Sequence, residues 1–125
     1  MANPNIVDVT SILGETTYLT PANTTANVLL DNTASSGKVY KINQIVAANV
    51  DGSSAVNTTV SITDQDAGAG TVYPIVSTVS VPADASLIVA DKTTAIYLME
   101  DKSIIVTSGT ASKITYTISY EVISS

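Results

Sequence analysis

The chain has 125 residues, a length typical of one domain, and we expect a single β domain over residues 1–125. Eleven acidic residues against five lysines give a formal net charge of −6, and Arg, His, Cys, Trp and Phe are all absent. These absences exclude thiol catalysis, disulfides, Cys/His zinc sites and a Ser-His-Asp relay. Scattered lysines in an acidic chain form no basic patch for nucleic acid or an anionic membrane. We therefore expect no enzyme, no cofactor, no metal, no nucleic acid and no membrane partner.

Val, Ile and Thr together make 46 of the 125 residues. Branched side chains of this kind are stiff at χ1 and pack well on a pleated surface, so their excess favours strands. No window shows a sustained helical period, and short alternating segments are separated by turn residues. The sequence therefore predicts an all-β fold, an antiparallel β-sandwich or jelly roll of about eight to nine short strands.

The first predicted strand includes Val7, Val9 and Leu13, and residues 14–25 fit either a strand or a surface loop. The strands expected after these are 26–31, 38–50, 56–63, 72–81, 87–90, 95–99, 103–107 and 113–122. Within the third of the nine, alternation places five apolar residues on one side: Tyr40, Ile42, Val46, Ala48 and Val50. Asp51-Gly52 then predicts a tight hairpin, because both residues tolerate positive φ. Pro74 predicts that its segment is an edge strand or contains a bulge.

Three acidic or aromatic features are candidate sites: a D-x-D loop, a pair of adjacent carboxylates and an exposed tyrosine. Asp64-Gln65-Asp66 lies in a Gly-rich loop over 64–70, but calcium needs six to eight oxygen ligands and no closing Glu follows. We therefore expect a flexible, solvated loop there. Glu100-Asp101 reads as a turn whose carboxylates stay solvated. Tyr97 alternates with Ile96 and Leu98, so it faces away from them and is the best single candidate for an exposed contact.

The N-terminus is polar and carries no basic side chain, so the segment does not read as a signal peptide. We expect synthesis in a cytoplasm. Residues 1–6 include Pro4 and are candidates for an extended arm that reaches over a neighbouring subunit.

Five stretches carry a resemblance to a known family: residues 1–10, 37–43, 81–87, 95–104 and 118–124. Examples are Gly37-Lys38-Val39-Tyr40-Lys41-Ile42-Asn43 and Val81-Pro82-Ala83-Asp84-Ala85-Ser86-Leu87. Together they resemble small virion structural proteins of tailed bacteriophages, especially marine and cyanobacterial ones. In those proteins the turn before the Ser-Ile strand often reads Glu-Gly-Asp. Here it reads Glu100-Asp101-Lys102, a departure that bears on the geometry of the turn.

The resemblance implies a structural role without catalytic residues. A net-negative domain is a poor lining for packaged DNA, so we expect a capsid decoration or cement protein on the outer head surface. Its partners would be the major capsid protein or other virion subunits, in a homo-oligomer, with a trimer as the natural guess. A tail, neck or fibre component and a glycan-binding adhesion module are the alternatives. The interface candidates are Met1, Ala2, Asn3, Pro4, Asn5, Ile6, Asp64, Gln65, Asp66 and Tyr97.

Overall fold

The structure is a computed structural model that describes residues 4–5, 7–94 and 96–124. Nine strands make up almost all of its regular structure, as the sequence predicts. They are β1 (Ser11–Leu19), β2 (Asn27–Asn32), β3 (Lys38–Asn49), β4 (Val56–Thr63), β5 (Val72–Val81), β6 (Ser86–Ala90), β7 (Ile96–Leu98), β8 (Lys102–Ser108) and β9 (Ile114–Ser124). Residues 14–25, for which the sequence left strand or loop open, are partly each: residues 14–19 belong to β1 and the rest form a loop.

The strands form two antiparallel sheets, which confirms the predicted β-sandwich. Sheet A has the order β1-β9-β3-β6, with β7 also pairing with β3, and sheet B has the order β2-β8-β4-β5. The chain changes sheet at every connection except β4 to β5 and β6 to β7. When β6 and β7 are counted as one interrupted strand, each sheet has four strands, and this alternation is the jelly-roll order.

The core lies between the two sheets and consists of Val, Ile, Leu and Tyr. β9 supplies alternate buried positions, among them Ile114, Tyr116 and Ile118, each with no exposed area. Ile104 and Val106 of β8 face them from sheet B and are equally buried. The Tyr116 hydroxyl contacts the Thr58 hydroxyl and donates to the Thr107 carbonyl at 2.9 Å, so this buried polar group is satisfied inside the sandwich.

The prediction of which β3 residues point into the core is wrong beyond Ile42. The pairing with β9 shifts between Ile42 and Gln44, which leaves Asn43 as an extra residue in a β-bulge. One extra residue reverses the alternation, so Ile45 and Ala47 point into the core with no exposed area. Val46 and Ala48, which the sequence placed beside Ile42, lie on the opposite face.

The predicted Asp51-Gly52 hairpin is also wrong. β3 belongs to sheet A and β4 to sheet B, so this connection crosses between the sheets instead of joining paired strands. The Asp51 carboxylate accepts the backbone N–H of Ser53 at 2.9 Å and of Ser54 at 3.2 Å. Asp51-Gly52 does form a turn, as its residue types indicate. The strand that follows the turn, β4, is not the strand that pairs with β3.

Pro74 behaves as predicted, because β5 is the edge strand of sheet B and its pairing with β4 shifts between Val60 and Ser61. Among the described residues the one helical element is a single 3-10 turn at Asp66–Gly68. No helix in this described part is long and apolar enough to cross a membrane.

Replacing Tyr116 by Phe tests the buried hydroxyl. Y116F removes the hydroxyl that serves both Thr58 and Thr107, and leaves their polar atoms buried without it. We expect the free energy of unfolding to fall by about 1–3 kcal/mol, measured by urea unfolding. The control is Y18F, at a tyrosine that is 75% exposed. Equal losses in the two variants would contradict the assignment.

The same tyrosine predicts the response to alkaline pH. Burial raises the pKa of Tyr116 above its ordinary 10.0, although the hydrogen bond with Thr58 opposes the rise. Because the folded pKa is the higher one, this contribution to stability is complete below pH 10 and is lost as the pH rises through the folded pKa. Urea unfolding as a function of pH should show a decline above pH 10 that is shallower in Y116F.

Candidate functional site

A polar groove crosses the outer face of sheet A, and we call it the sheet groove. Its larger part, about 490 Å³, is lined by Asn43, Gln44, Asp91, Lys92, Thr93 and Ser119. A smaller part of about 250 Å³ continues toward β1, shares Asn43 and Ser119, and adds Gly14, Glu15, Thr16 and Tyr120. The larger volume is within the range of about 300–1,000 Å³ typical of small-molecule sites.

The β-bulge of β3 creates the centre of the groove. Ile42 pairs with Tyr120 and Gln44 pairs with Ser119, so Asn43 has no counterpart on β9. A bulge turns two consecutive side chains toward one face of a sheet, and both Asn43 and Gln44 line the groove. Two side-chain amides therefore stand next to each other on a face where strict alternation would present one.

The connection between β6 and β7 forms one wall of the groove. Thr93 donates its backbone N–H to the Asp91 carboxylate at 2.9 Å, and the Thr94 hydroxyl donates to the Asp91 carbonyl at 2.8 Å. The hydrogen bond from the Thr93 hydroxyl, followed by that from its N–H, holds the pKa of Asp91 below its ordinary 3.8. Asp91 is therefore ionised at neutral pH, and its loop is braced by its own hydrogen bonds.

The side-chain amides of Asn43 and Gln44 are available for hydrogen bonds to a ligand. Within the described ranges, neither the Asn43 nor the Gln44 side chain makes a hydrogen bond to another residue. Ser119 shares a 3.1 Å hydrogen bond with the Thr16 hydroxyl, which links β9 to β1 across the groove floor. The floor is thus fixed, and the amides above it present both donors and acceptors to solvent.

Tyr97 lies beside the groove, and its predicted exposure is confirmed. It pairs with Lys41 on β3, two residues before the bulge, and 41% of it is exposed. Ile96 is half-buried and Leu98 is buried, so Tyr97 does face away from both neighbours. The structure therefore places Tyr97 opposite Lys41, outside the groove lining. The sequence interpretation missed the participation of Asn43 and Gln44 in the groove. The odd spacing of Ile42 and Ile45 was the signal that could have revealed the bulge.

The loop 64–70 is not the free, flexible segment that the sequence suggests. It lies on the outer face of sheet B, at the opposite side of the sandwich from the sheet groove. Its backbone N–H groups at Asp66, Ala67 and Gly68 donate respectively to Asp101 Oδ1, Asp31 Oδ1 and Ser103 Oγ, at 3.1, 2.8 and 2.9 Å. The loop is therefore docked by side chains from β2, β8 and the turn before β8.

The carboxylates of the D-x-D motif are engaged in hydrogen bonds, one at the end of the loop and one to the β2–β3 connection. Asp64 Oδ1 accepts the Thr71 N–H at 2.7 Å, and Asp66 Oδ2 accepts the Ala34 N–H at 3.1 Å. The Gln65 side chain is exposed at the loop surface. No three carboxylates in the described part of the chain are grouped to hold a metal ion. Whether Asp64, Gln65 and Asp66 also contact a partner stays a prediction.

The Glu100-Asp101 turn is confirmed, but the expected solvation of Glu100 is wrong. Glu100 is only 8% exposed. Asp101 adopts φ 59°, the left-handed conformation that favours glycine and that Asp tolerates. Its carboxylate fixes the neighbouring loop.

Most of the predicted N-terminal contact lies outside the described residues, namely Met1, Ala2, Asn3 and Ile6. Pro4 is half-buried and Asn5 is exposed. Asn5 accepts the Val7 N–H at 3.0 Å and the Asp8 N–H at 3.0 Å, which forms a turn immediately before β1. The described part of the proposed arm is therefore a turn.

Comparison with known proteins gives only distant likenesses. No protein-family model and no curated protein matches the chain. The chain is similar to one from the virus-like particle of the giant freshwater prawn Macrobrachium rosenbergii extra small virus, with TM-score 0.41 and 11% identity over 98% of this chain and 87% of that one. It is also similar to a chain of infectious bursal disease virus, Gx strain, with TM-score 0.38 and 8% identity over 90% of this chain, and it spans 33% of that one. Likenesses this distant carry no argument about function.

The docked loop predicts an effect of replacing Ser103 by Ala. Ser103 Oγ accepts the Gly68 N–H, donates to the Gln65 carbonyl at 3.2 Å and contacts the Thr63 hydroxyl. S103A leaves these groups without that partner, so we expect a loss of about 1–3 kcal/mol in urea unfolding. Hydrogen exchange at the Gly68 amide should accelerate. S77A, at an exposed serine of β5, is the matched control. Unchanged exchange at Gly68 would show that the loop is held by other contacts.

Proposed function

We propose that the protein is a virion structural protein, a capsid decoration protein that braces neighbouring subunits on the outer surface of the head. The observation that carries the proposal is the edge strand β1, which is built for pairing with another chain. The jelly-roll strand order, the sequence resemblance to small phage virion proteins and the acidic surface support the same proposal. One fold hosts many functions, so the strand order by itself does not identify this one.

Three of the four sheet edges are protected against pairing. β5 contains Pro74 and a positive φ of 51° at Thr78, and its register shifts twice. β2 is six residues long, has a bulge between Val28 and Leu30, and is covered by the loop 64–70. The remaining edge of sheet A is divided between β6 and β7 by the turn at Asp91. Bulges, prolines and short strands are the devices that keep an edge from aggregating.

β1 has none of these devices. It is nine residues long and pairs with β9 without a register shift, and it contains no proline, lysine or positive φ. Glu15 is its one charged residue. Its exposed apolar side chains are large, with Tyr18 at 75%, Leu13 at 58% and Ile12 at 57% exposure. A long, regular, apolar edge offers unpaired backbone groups together with surface to bury.

In this mechanism a strand or face of a neighbouring virion subunit covers β1. Backbone hydrogen bonds align the neighbour, and burial of Ile12, Leu13 and Tyr18 stabilises the contact. Residues 1–6 lie upstream of β1 and are separated from it by residues 7–10, so an N-terminal arm would start close to the same neighbour. Asp64, Gln65 and Asp66 lie on the other sheet and would meet a second one. A trimer around a three-fold position of the lattice satisfies these contacts symmetrically.

The matched pair of variants I12K and I88K tests the edge. Both isoleucines lie on the outer face of sheet A and both are 57% exposed, but only Ile12 belongs to β1. A lysine at Ile12 should prevent pairing and reduce incorporation into particles by at least about tenfold, the equivalent of about 1.4 kcal/mol. I88K should incorporate as the wild type does. Quantitative mass spectrometry of purified particles gives the incorporation, and equal incorporation would reject β1 as the attachment edge.

Particle stability and copy number test the decoration role itself. Virions that lack the protein, or that carry only I12K, should lose resistance to heat and osmotic shock. Unchanged resistance would reject bracing. Subunit counting separates the head from the alternative location in the tail, neck or fibre, because decoration of a lattice needs hundreds of copies and a tail ring needs few.

A further inference from the structure

The sheet groove supports an inference that is independent of the assembly proposed for the edge strand β1. We propose that it is a carbohydrate-binding site, which holds a neutral saccharide by its hydroxyl groups. The groove lies on the outer face of sheet A, and its centre is the pair of amides that the bulge presents together. The virion role does not require this site, and the site does not require that role.

The lining matches the chemistry of a sugar. A pair of neighbouring hydroxyls on a sugar ring needs a donor and an acceptor side by side, and the amides of Asn43 and Gln44 each supply both. Neither amide is engaged by another described residue, so no internal hydrogen bond has to break before a ligand binds. Asp91 adds a fixed ionised acceptor and Lys92 adds donors, which together leave the larger part of the groove without net charge.

Rigidity favours the same interpretation. Thr16 and Ser119 are hydrogen-bonded across the floor, and the turn at Asp91 is braced by Thr93 and Thr94. A site whose polar groups are already in place loses little conformational freedom when a ligand binds. The β-bulge has its own cost in ladder hydrogen bonds, and bulges are over-represented beside functional sites because they redirect side chains.

Tyr97 adds an exposed aromatic ring on the strand that pairs with β3 just before the bulge, outside the groove lining. A sugar ring has faces formed by C–H groups, and these pack against an aromatic ring whose hydroxyl remains in water. Tyr97 is 41% exposed and pairs with Lys41, two residues before Asn43. An aromatic surface beside convergent polar groups is the general composition of a small-molecule site.

Other ligand classes fit less well. Nucleic acid requires clustered cations, and Lys92 is the one lysine in the lining. An apolar peptide helix requires large hydrophobic side chains in the groove, whereas the residues that line its larger part are Asn, Gln, Asp, Lys, Thr and Ser. A metal ion requires several carboxylates, and no such group occurs in the described residues. Neutral carbohydrate is the class that uses the groups present.

The test is a glycan array probed with the purified full chain, followed by calorimetric titration of any neutral saccharide retained. Q44A and N43A should each weaken binding at least about tenfold, as expected for the loss of one or two hydrogen bonds. Q65A is the matched control, because Gln65 is an exposed glutamine on the opposite sheet. Y97A should also weaken binding, and Y97F should restore it because the ring is retained.

The outcomes separate cleanly. Retention of a neutral saccharide that Q44A weakens and Q65A leaves unchanged supports the proposal. No retention of any neutral saccharide overturns it, as does binding that Q44A and N43A leave unaffected, or retention confined to peptides or polyanions. Thermal unfolding of each variant establishes that it is folded. I12K should bind saccharide normally, so failure of the assembly proposal and failure of this one are distinguishable.

Discussion

The hydrogen-bonded ladder between β3 and β9 is the contact on which both the core and the candidate site depend. It runs from the pair Lys38–Ser124 to the pair Asn49–Ile114 and forms the centre of sheet A. One extra residue, Asn43, divides it into two segments. On the inner side the shift allows Ile42 and then Ile45 to enter the core. On the outer side the same shift places Asn43 and Gln44 together, so packing and polar presentation have one cause.

Strict alternation was sufficient to predict the class of fold and most strand positions. β4 and β5 have the predicted bounds although their mutual pairing shifts twice. β9 begins within one residue of its predicted start, because its side chains alternate without interruption from Ile114 to Val122. The bulge was not predicted, because alternation was assumed to continue without interruption through 38–50. That assumption assigns Val46 and Ala48 to the wrong face. The spacing from Ile42 to Ile45 contradicted that rule, and it marks the position where the ladder has an extra residue.

The remaining errors concern contacts between residues far apart in the chain. Asp51-Gly52 has the composition of a hairpin, but the strands that flank it lie in different sheets. The loop 64–70 is Gly-rich and polar, yet Asp31 and Ser103 fasten it to sheet B through its backbone N–H groups. The turn at Asp91 had a local signal in its Asp-x-Thr-Thr pattern. The position of the Asp91 turn beside the bulge depends on the pairing of β6 and β7 with β3. A local sequence pattern does not predict that pairing.

The strand β1 is both the edge proposed for assembly and part of the sheet groove. Gly14 and Thr16, which line the smaller part of the groove, belong to the strand whose outer edge is unprotected. A Cβ placed on Gly14 would have no atom within 4 Å, so that end of the groove is open on this side of the sheet. A strand added to β1 would extend the groove floor by one strand and give that open end a wall. In the proposed assembly, a regular β1 would serve two purposes: it would offer backbone for pairing, and it would leave the groove unobstructed up to the neighbouring subunit.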